Sequence, residues 1–415
     1  MSVVITQSPT FPNGTQSDIL YVVSSSLWEN PQFKYVCEIQ SEGGTVLSQI
    51  KQASNSNGYG VFEIGRLLDD HMGYDSPWLI DSSVPMVTSS NENITSFGIK
   101  FTEEYSTSIS SSITTGTYVS ASIPSITTFI PSVTERDSGN FNWDSGSYDA
   151  LTNAPNVSTT LNYNSQLNAQ VVSNLDYLTL STLNGIARKG DLISVTYYVY
   201  NTNKTLVYNT TVSNPHTAAG TLSQLVHIGV GPQNLQNVGD LSIYFQNPLT
   251  YPCYGVALNY TDGSSDYHYY KFNCLYYDGA NFAFTNKLGM FDYYRATLVG
   301  TESETFNRKT YDAPYIDYST DTPVIDFNYA RRGKTQFLNT FSNNYTAETD
   351  WLTQGQADWL FELFESPNVF VQFGDEFVGI IITNANETFK TNPKGQKLFK
   401  FTIQYRKSNS KKSRY

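Results

Sequence analysis

In the stretch FKYVCEIQ, residues 33–40, apolar and polar side chains alternate strictly enough to decide the local structure. Phe33, Tyr35, Cys37 and Ile39 fall on one face, with Lys34, Glu38 and Gln40 on the other. A two-residue period is that of a β-strand with one buried face, whereas a helix would scatter the same residues around its circumference. SEGG supplies a turn, and TVLSQIKQ (45–52) returns as the partner strand. SFGIKFTEEYS (96–106) repeats the alternation. DLISVTYYVY (191–200) and TLVYNTTV (205–212) flank Asn201–Lys204 as a hairpin, with Ile193, Val195, Tyr197 and Val199 expected on one face. NVFVQF, FVGIIITNANETF and KLFKFTIQYR add three late strands.

Composition agrees with this reading. Aromatic residues make up 14% of the 415-residue chain, with 31 Tyr and 24 Phe, and only 15% of residues are charged. Such residues suit a pleated, half-buried surface. The expected fold is mainly β and multi-domain, with Ig-like β-sandwich domains and a C-terminal β-rich module containing one short α-helix. That helix is expected over 353–365. Thr353 and Gln356 have capping-box spacing, Leu360, Leu363 and Phe364 continue an apolar stripe, and Ser366-Pro367 stops it. The expected division is a β-sandwich over 1–106, a Ser/Thr-rich linker or extended arm over 107–158, a second sandwich over 159–240, an aromatic-rich module over 241–405 and a basic tail over 406–415.

The net charge of −12 argues against a surface built generally for nucleic acid. Lys394–Tyr415 holds eight Lys or Arg and no acid, so residues 1–393 carry −20. The tail reads as a solvated terminus or as a docking arm for an acidic protein surface or nucleic acid. Cys37, Cys253 and Cys274 are too few for a disulfide framework, and pairing of Cys253 with Cys274 is left open. The four histidines lack metal-ligand spacing. The N-terminus carries no signal-peptide pattern and no stretch is long and apolar enough for a transmembrane helix, so membrane insertion is not expected. A role outside a cell would be reached without the usual export signal, as by release within an assembled particle.

Catalytic patterns are not evident. Gly-X-Ser-X-Gly, the Walker pattern and a Rossmann glycine motif before a helix are all missing, and GVGPQNL (229–235) reads as a turn. Glu103 and Glu104 are adjacent on a strand and point to opposite faces, while Asp69 and Asp70 read as solvated caps. Asp262, Asp266 and Asp278 do not match a calcium loop. No enzymatic activity, metal or cofactor is expected. Tyr267, Tyr269, Tyr270, Tyr276 and Tyr277 read either as a sugar-stacking surface, with Tyr267, Tyr269 and Tyr276 facing glycan, or as core and interface residues.

NKLGMFDYYRATL (286–298) poses the sharpest choice between chemistry and packing. Asn286 and Gly289 suit the turn between two aromatic strands, with Asp292 steadying that turn. Tyr293 and Tyr294 point to opposite sides, and Arg295 suits an ion pair better than catalysis. The longer segment FAFTNKLGMFDYYRATLVGTESETFNRKTYD (282–312) resembles a pattern in uncharacterised virion structural proteins of phages infecting Bacteroidota. Asn286, Gly289, Asp292 and Tyr293 carry its first part, and Arg308 and Tyr311 its second. WLTQGQADWLFELFESPNVFVQF (351–373), containing Trp351 and Trp359, resembles the downstream part. The opening ITQSPTFPNGTQSDILYVV with FKYVCEIQ and GVFEIGRLL is similar to the first domain of those proteins.

The resemblance implies a structural component of a phage virion, assembled in the host cytoplasm, at a tail tip, baseplate or other external assembly. It implies no catalytic residues. Asn286, Gly289, Asp292, Tyr293, Tyr294, Arg308, Tyr311, Trp351 and Trp359 become the candidate interface residues. Expected partners are other virion proteins and further copies of the chain. The alternative is an adhesin module of the particle that binds a host-surface receptor or glycan.

Overall fold

The computed structural model describes residues 3–9, 13–15, 19–41, 43–73, 77, 79–88, 94–126, 150–158, 169–184, 190–216, 224–272, 279–312, 316–317, 321–322, 324–325, 333–384, 398–408 and 412–414. It is a mainly β, multi-domain molecule, with three short helices among those residues.

The first sandwich sets a three-stranded sheet (Val4–Gln7, Leu20–Ser24, Tyr59–Glu63) against a larger one. The larger sheet runs Asn13–Gly14, Val119–Ile126, Ile94–Tyr105, Lys34–Gln40, Val46–Gln52 in spatial order. Phe33, Tyr35, Cys37 and Ile39 all point into the core, where they meet Tyr21, Val23, Phe62, Ile99 and Phe101. The two-residue period fills this inner face as expected, although Val36 and Gln40 on the other face are buried as well.

This sandwich does not close at residue 106. Val119–Ile126 lies antiparallel to Ile94–Tyr105, from Val119↔Phe101 to Ile126↔Ile94, so part of the expected linker is a sheet strand. Its β-branched residues suit that role. Thr114–Thr115 also pairs with Ile94–Tyr105, and Val157–Ser158 with Ser265–Phe272, while residues 127–149 of the expected linker lie outside the described residues. Met86–Thr88 leaves the first unit altogether and pairs with Gln224–Gly229, from Met86↔Ile228 to Thr88↔Val226.

The second sandwich extends well past residue 240. Its main sheet runs Val157–Ser158, Ser265–Phe272, Cys253–Tyr260, Leu192–Tyr200, Leu206–Ser213, and its second runs Thr179–Asn184, Gln224–Gly229, Met86–Thr88. Cys253–Tyr260 pairs with Leu192–Tyr200 from Tyr200↔Cys253 to Leu192↔Tyr260, which assigns two tyrosine-rich strands to this sandwich instead of the final module. Tyr197, Tyr254 and Tyr270 fill its interior. Burying a phenol is tolerable when its hydroxyl is bonded. Tyr197 donates to the Gly229 carbonyl at 3.1 Å and Tyr254 to that of Val230 at 2.9 Å. Ile193 departs from the expected face and is exposed, because a register shift between Leu192 and Ser194 gives the inward position to Leu192.

The final module is an eight-stranded sheet ordered Phe291–Ala296, Ala280–Thr285, Val369–Phe373, Glu376–Ile382, Thr402–Lys407, Lys334–Glu348, Thr301–Asp312, with Lys412–Arg414 also on Lys334–Glu348. Its helix, Gln354–Glu365, begins as the sequence predicts. The Gln356 N–H donates to Thr353 Oγ1 and the Thr353 N–H to Gln356 Oε1, completing the capping box. Ser366 is extended ahead of Pro367. Ala357, Trp359, Leu360 and Leu363 pack on Phe282, Phe284, Val369 and Val371 on one face of the sheet. On the opposite face, Ala283, Phe291 and Tyr293 join the core of the second sandwich. The sheet is therefore the middle layer between helix and sandwich.

The basic C-terminus is not simply a hanging tail. Thr402–Lys407 and Lys412–Arg414 are both sheet strands, Lys400 pairs with Glu348 at 2.6 Å, and the Lys407 ammonium sits 4.0 Å from the centre of the Phe373 ring. Among the described residues, no helix is long and apolar enough to cross a membrane.

Candidate functional site

The hairpin joining Ala280–Thr285 to Phe291–Ala296 contains the segment singled out in the sequence. Asn286 builds the turn. Its N–H donates to the Met290 carbonyl at 2.7 Å, and its Oδ1 accepts from the N–H groups of Leu288 and Met290 at 2.9 and 3.1 Å. Its amide Nδ2 donates to the Leu151 carbonyl at 2.9 Å, fastening the turn to a neighbouring segment. Gly289 has φ +82°, a conformation that penalises a Cβ.

Asp292 is buried behind this turn. It accepts from the Thr152 hydroxyl at 2.5 Å and from the Trp359 indole at 2.7 Å. Burial pushes its carboxyl up to about 6, against the opposing pull of Thr152, Trp359, Asn286 and the Asn153 N–H. Glu362 lies one helical turn beyond Trp359 and accepts from the Lys287 N–H at 3.0 Å and from Asn153 Nδ2 at 3.1 Å. Burial, reinforced by the charge of Asp292, pushes Glu362 up to about 7. Sequence reasoning missed this residue. The available signal was an acid on the same helix face as Trp359 and Leu363.

Two further contacts fix the strand. Tyr293 shares a 2.9 Å hydrogen bond with Thr179 of the second sandwich. Arg295 forms a buried ion pair with Asp176, which also accepts from the Ser173 N–H at 2.7 Å. Burial pushes the Asp176 carboxyl up to about 6, with Arg295 as the main opposing influence. The two acids Asp292 and Glu362 thus use their oxygens on donors within the chain, in surroundings closed to a substrate.

That closure corrects part of the candidate interface. Asn286, Gly289, Asp292, Tyr293, Tyr294 and Trp359 are buried within one chain, because the helix covers one face of their sheet and the second sandwich covers the other. Tyr269, expected to face glycan, is also buried, packed with Ala169, Tyr200 and Cys253; Tyr267 is half-buried beside it. Tyr276 lies outside the described residues, as does Cys274. Glu103 is buried, whereas Glu104 pairs with Lys51 at 2.7 Å. Asp262 accepts from Ser264 in a turn, and no group of three potential metal ligands occurs among the described residues.

Three candidate residues are accessible. Trp351 is 62% exposed on the rim of a cleft of about 180 Å³ whose lining includes Tyr294, Arg295 and Trp359. Arg308 and Tyr311 lie on Thr301–Asp312, a twelve-residue edge strand in which every residue is exposed. That strand pairs only with Lys334–Glu348 among the described residues. Ile316–Asp317 and Val324–Ile325 pair farther along the same connection. At about 3.4 Å per residue, twelve residues make an arm about 40 Å long. Phe306, Tyr311 and Phe337 are each about half exposed along it. The Arg308 guanidinium lies 5.9 Å from the centre of the Phe306 ring.

No family model matches the chain, and no curated protein matches it. Among solved structures, trypsin-activated alpha-2-macroglobulin from Escherichia coli aligns over 85% of this chain and 23% of its own, with 8% identity and a TM-score of 0.20. The chain thus spans under a quarter of that protein. Squid arrestin aligns over 66% of this chain and 95% of its own, with 11% identity and a TM-score of 0.15. Similarities at this level carry no argument about fold or function.

Proposed function

We propose that the protein is a structural component of a larger assembly and that it acts by docking through the Thr301–Asp312 arm. The observation carrying this reading is the fully exposed edge strand itself, with aromatic and charged side chains displayed along it. A long unpaired edge offers a row of backbone donors and acceptors to another chain. Apart from Trp351, the remaining signature residues are buried and hold the sheet from which the arm extends. The virion setting, at a tail tip, baseplate or other external assembly, rests on the sequence resemblance.

The test replaces residues 306–341 by a short turn, from Thr305 to its register partner Ser342. Sedimentation of the full chain is expected to show concentration-dependent association, and the trimmed variant is expected to remain folded and monomeric. Mass spectrometry of purified phage particles is expected to find the protein. A strict monomer that is also missing from particles would overturn the proposal. Exposed Trp351 beside its cleft favours a second reading, recognition of a host-surface glycan; a glycan array probed with multimerised protein, native and Trp351→Ala, tests it.

A further inference from the structure

We propose that the arm's partner is a second copy of this chain, joined antiparallel about a two-fold axis at Phe306. This inference rests on the assembly reading and specifies its occupant. The edge strand reads TESETFNRKTYD, with acids at 302 and 304 and bases at 308 and 309. Apart from Asp312 at the far end, the two charge signs therefore lie on either side of Phe306. Antiparallel pairing centred there sets Phe306 opposite Phe306, Glu304 opposite Arg308 and, by symmetry, Arg308 opposite Glu304.

Aromatic pairs and opposite charges placed directly across two strands stabilise a sheet, whereas like charges oppose it. Parallel, in-register pairing would set Glu304 against Glu304 and Arg308 against Arg308. A slip of one residue either way would separate the two phenylalanines. The register centred on Phe306 satisfies both requirements together, and its self-complementarity is what an isologous two-fold interface requires. Among the described residues, neither Glu304 nor Arg308 has an ion-pair partner within the chain.

The backbone is suited to this pairing. Thr301–Asp312 contains neither Pro nor Gly. The register shift near Lys309 falls on the other strand, where Leu338 and Gln336 pair while Phe337 is passed over. The outer strand thus runs without a bulge. The same register puts Tyr311 of one copy opposite Thr301 of the other. Thr301 belongs to the lining of a groove of about 350 Å³ at the root of the arm, together with Leu298, Gly300, Val371 and Phe373.

Charge reversal tests the register on the full chain. Glu304→Arg and Arg308→Glu are each expected to weaken self-association about tenfold or more, since each turns two attractive cross-strand pairs into repulsive ones. Mixing the two variants, or combining both changes in one chain, is expected to restore association, because opposite charges again face each other. Thermal melting reports whether each variant is folded, and the restored double variant guards against a folding defect. Phe306→Cys is expected to form a disulfide-linked dimer under mild oxidation above the background of the native protein. Association that ignores both reversals, or a cross-link favoured by Thr305→Cys over Phe306→Cys, would overturn this register while leaving the assembly reading intact. A native chain that stays monomeric throughout would overturn this pairing, and absence from particles would then remove the broader reading too.

Discussion

The indole of Trp359 donates to Oδ2 of Asp292 at 2.7 Å, joining the capped helix to the strand beneath it inside a layer of aromatic side chains. Thr152 supplies a second donor to the same carboxyl from a different part of the chain. Three segments widely separated in sequence thus meet at one acid. Their position behind the Asn286 turn explains why the segment is rich in polar residues without offering a reactive surface.

Trp359→Phe is expected to destabilise the fold by about 1–3 kcal/mol, because it leaves one oxygen of a buried acid without its donor. The ring remains largely filled, so lost packing is the smaller effect. Urea unfolding followed by circular dichroism checks this. A variant as stable as the native protein would show that the indole contact contributes little.

The buried acids predict an unusual pH dependence. Asp176 and Asp292 are raised to about 6 from 3.8, and Glu362 to about 7 from 4.5. Between the lower and upper values the folded state holds protons that the unfolded state has released. Stability from these groups is therefore fully present below the unfolded values and is lost as pH rises through about 6 to 7. The urea midpoint is expected to be higher at pH 5 than at pH 7.5. Asp292→Asn and Glu362→Gln together are expected to reduce that difference to the part that Asp176 contributes, since neither replacement titrates. Asn at 292 can accept from Trp359 and donate to Thr152, retaining both contacts. A midpoint that rises from pH 5 to 7.5 would contradict these shifts.

The capping box gives a local prediction. Thr353→Ala removes the hydroxyl that accepts from Gln356, at a cost of about 0.5–2 kcal/mol, whereas Thr353→Ser keeps the acceptor and is expected to recover most of the loss. Comparing the two unfolding midpoints isolates the cap, because both substitutions also trim the same methyl group.

Local order was legible where one residue type decides the backbone. Thr353, Gln356 and Pro367 marked the helix, the alternation from Phe33 to Ile39 marked a core strand, and Asn286 with Gly289 marked a turn. Long-range pairing was not legible. Nothing local to Cys253–Tyr260 shows that it pairs with Leu192–Tyr200, and nothing in Met86–Thr88 shows that it joins a strand beginning at residue 224. These two departures from the expected domain division follow from this, as does the strand Val119–Ile126 found in the expected linker. Ile193 shows a smaller version of the problem, since one register shift reverses a face that alternation alone would assign. At the candidate site, the sequence identified Asp292 but not whether its surroundings were solvent or core. Tyr293 and Tyr294 were placed correctly on opposite faces, yet both faces proved to be covered within the chain.

The Asp176–Arg295 pair offers the most stringent test of that covered junction. Arg295→Met removes the positive charge while preserving much of the side chain's volume, leaving Asp176 buried beside an apolar replacement. Breaking a buried pair in this way typically costs about 3–5 kcal/mol. At neutral pH the loss is expected to be larger than at pH 5, because Asp176 then has to be buried as an anion or take up a proton. Adding Asp176→Asn to Arg295→Met is expected to recover a substantial part of the stability, since the amide carries no charge and can still accept from the Ser173 N–H. Urea unfolding of the native chain, both single variants and the double variant at the two pH values gives the coupling directly. Equal costs at both pH values, with no recovery in the double variant, would show that Arg295 acts through packing instead of through the charge of Asp176.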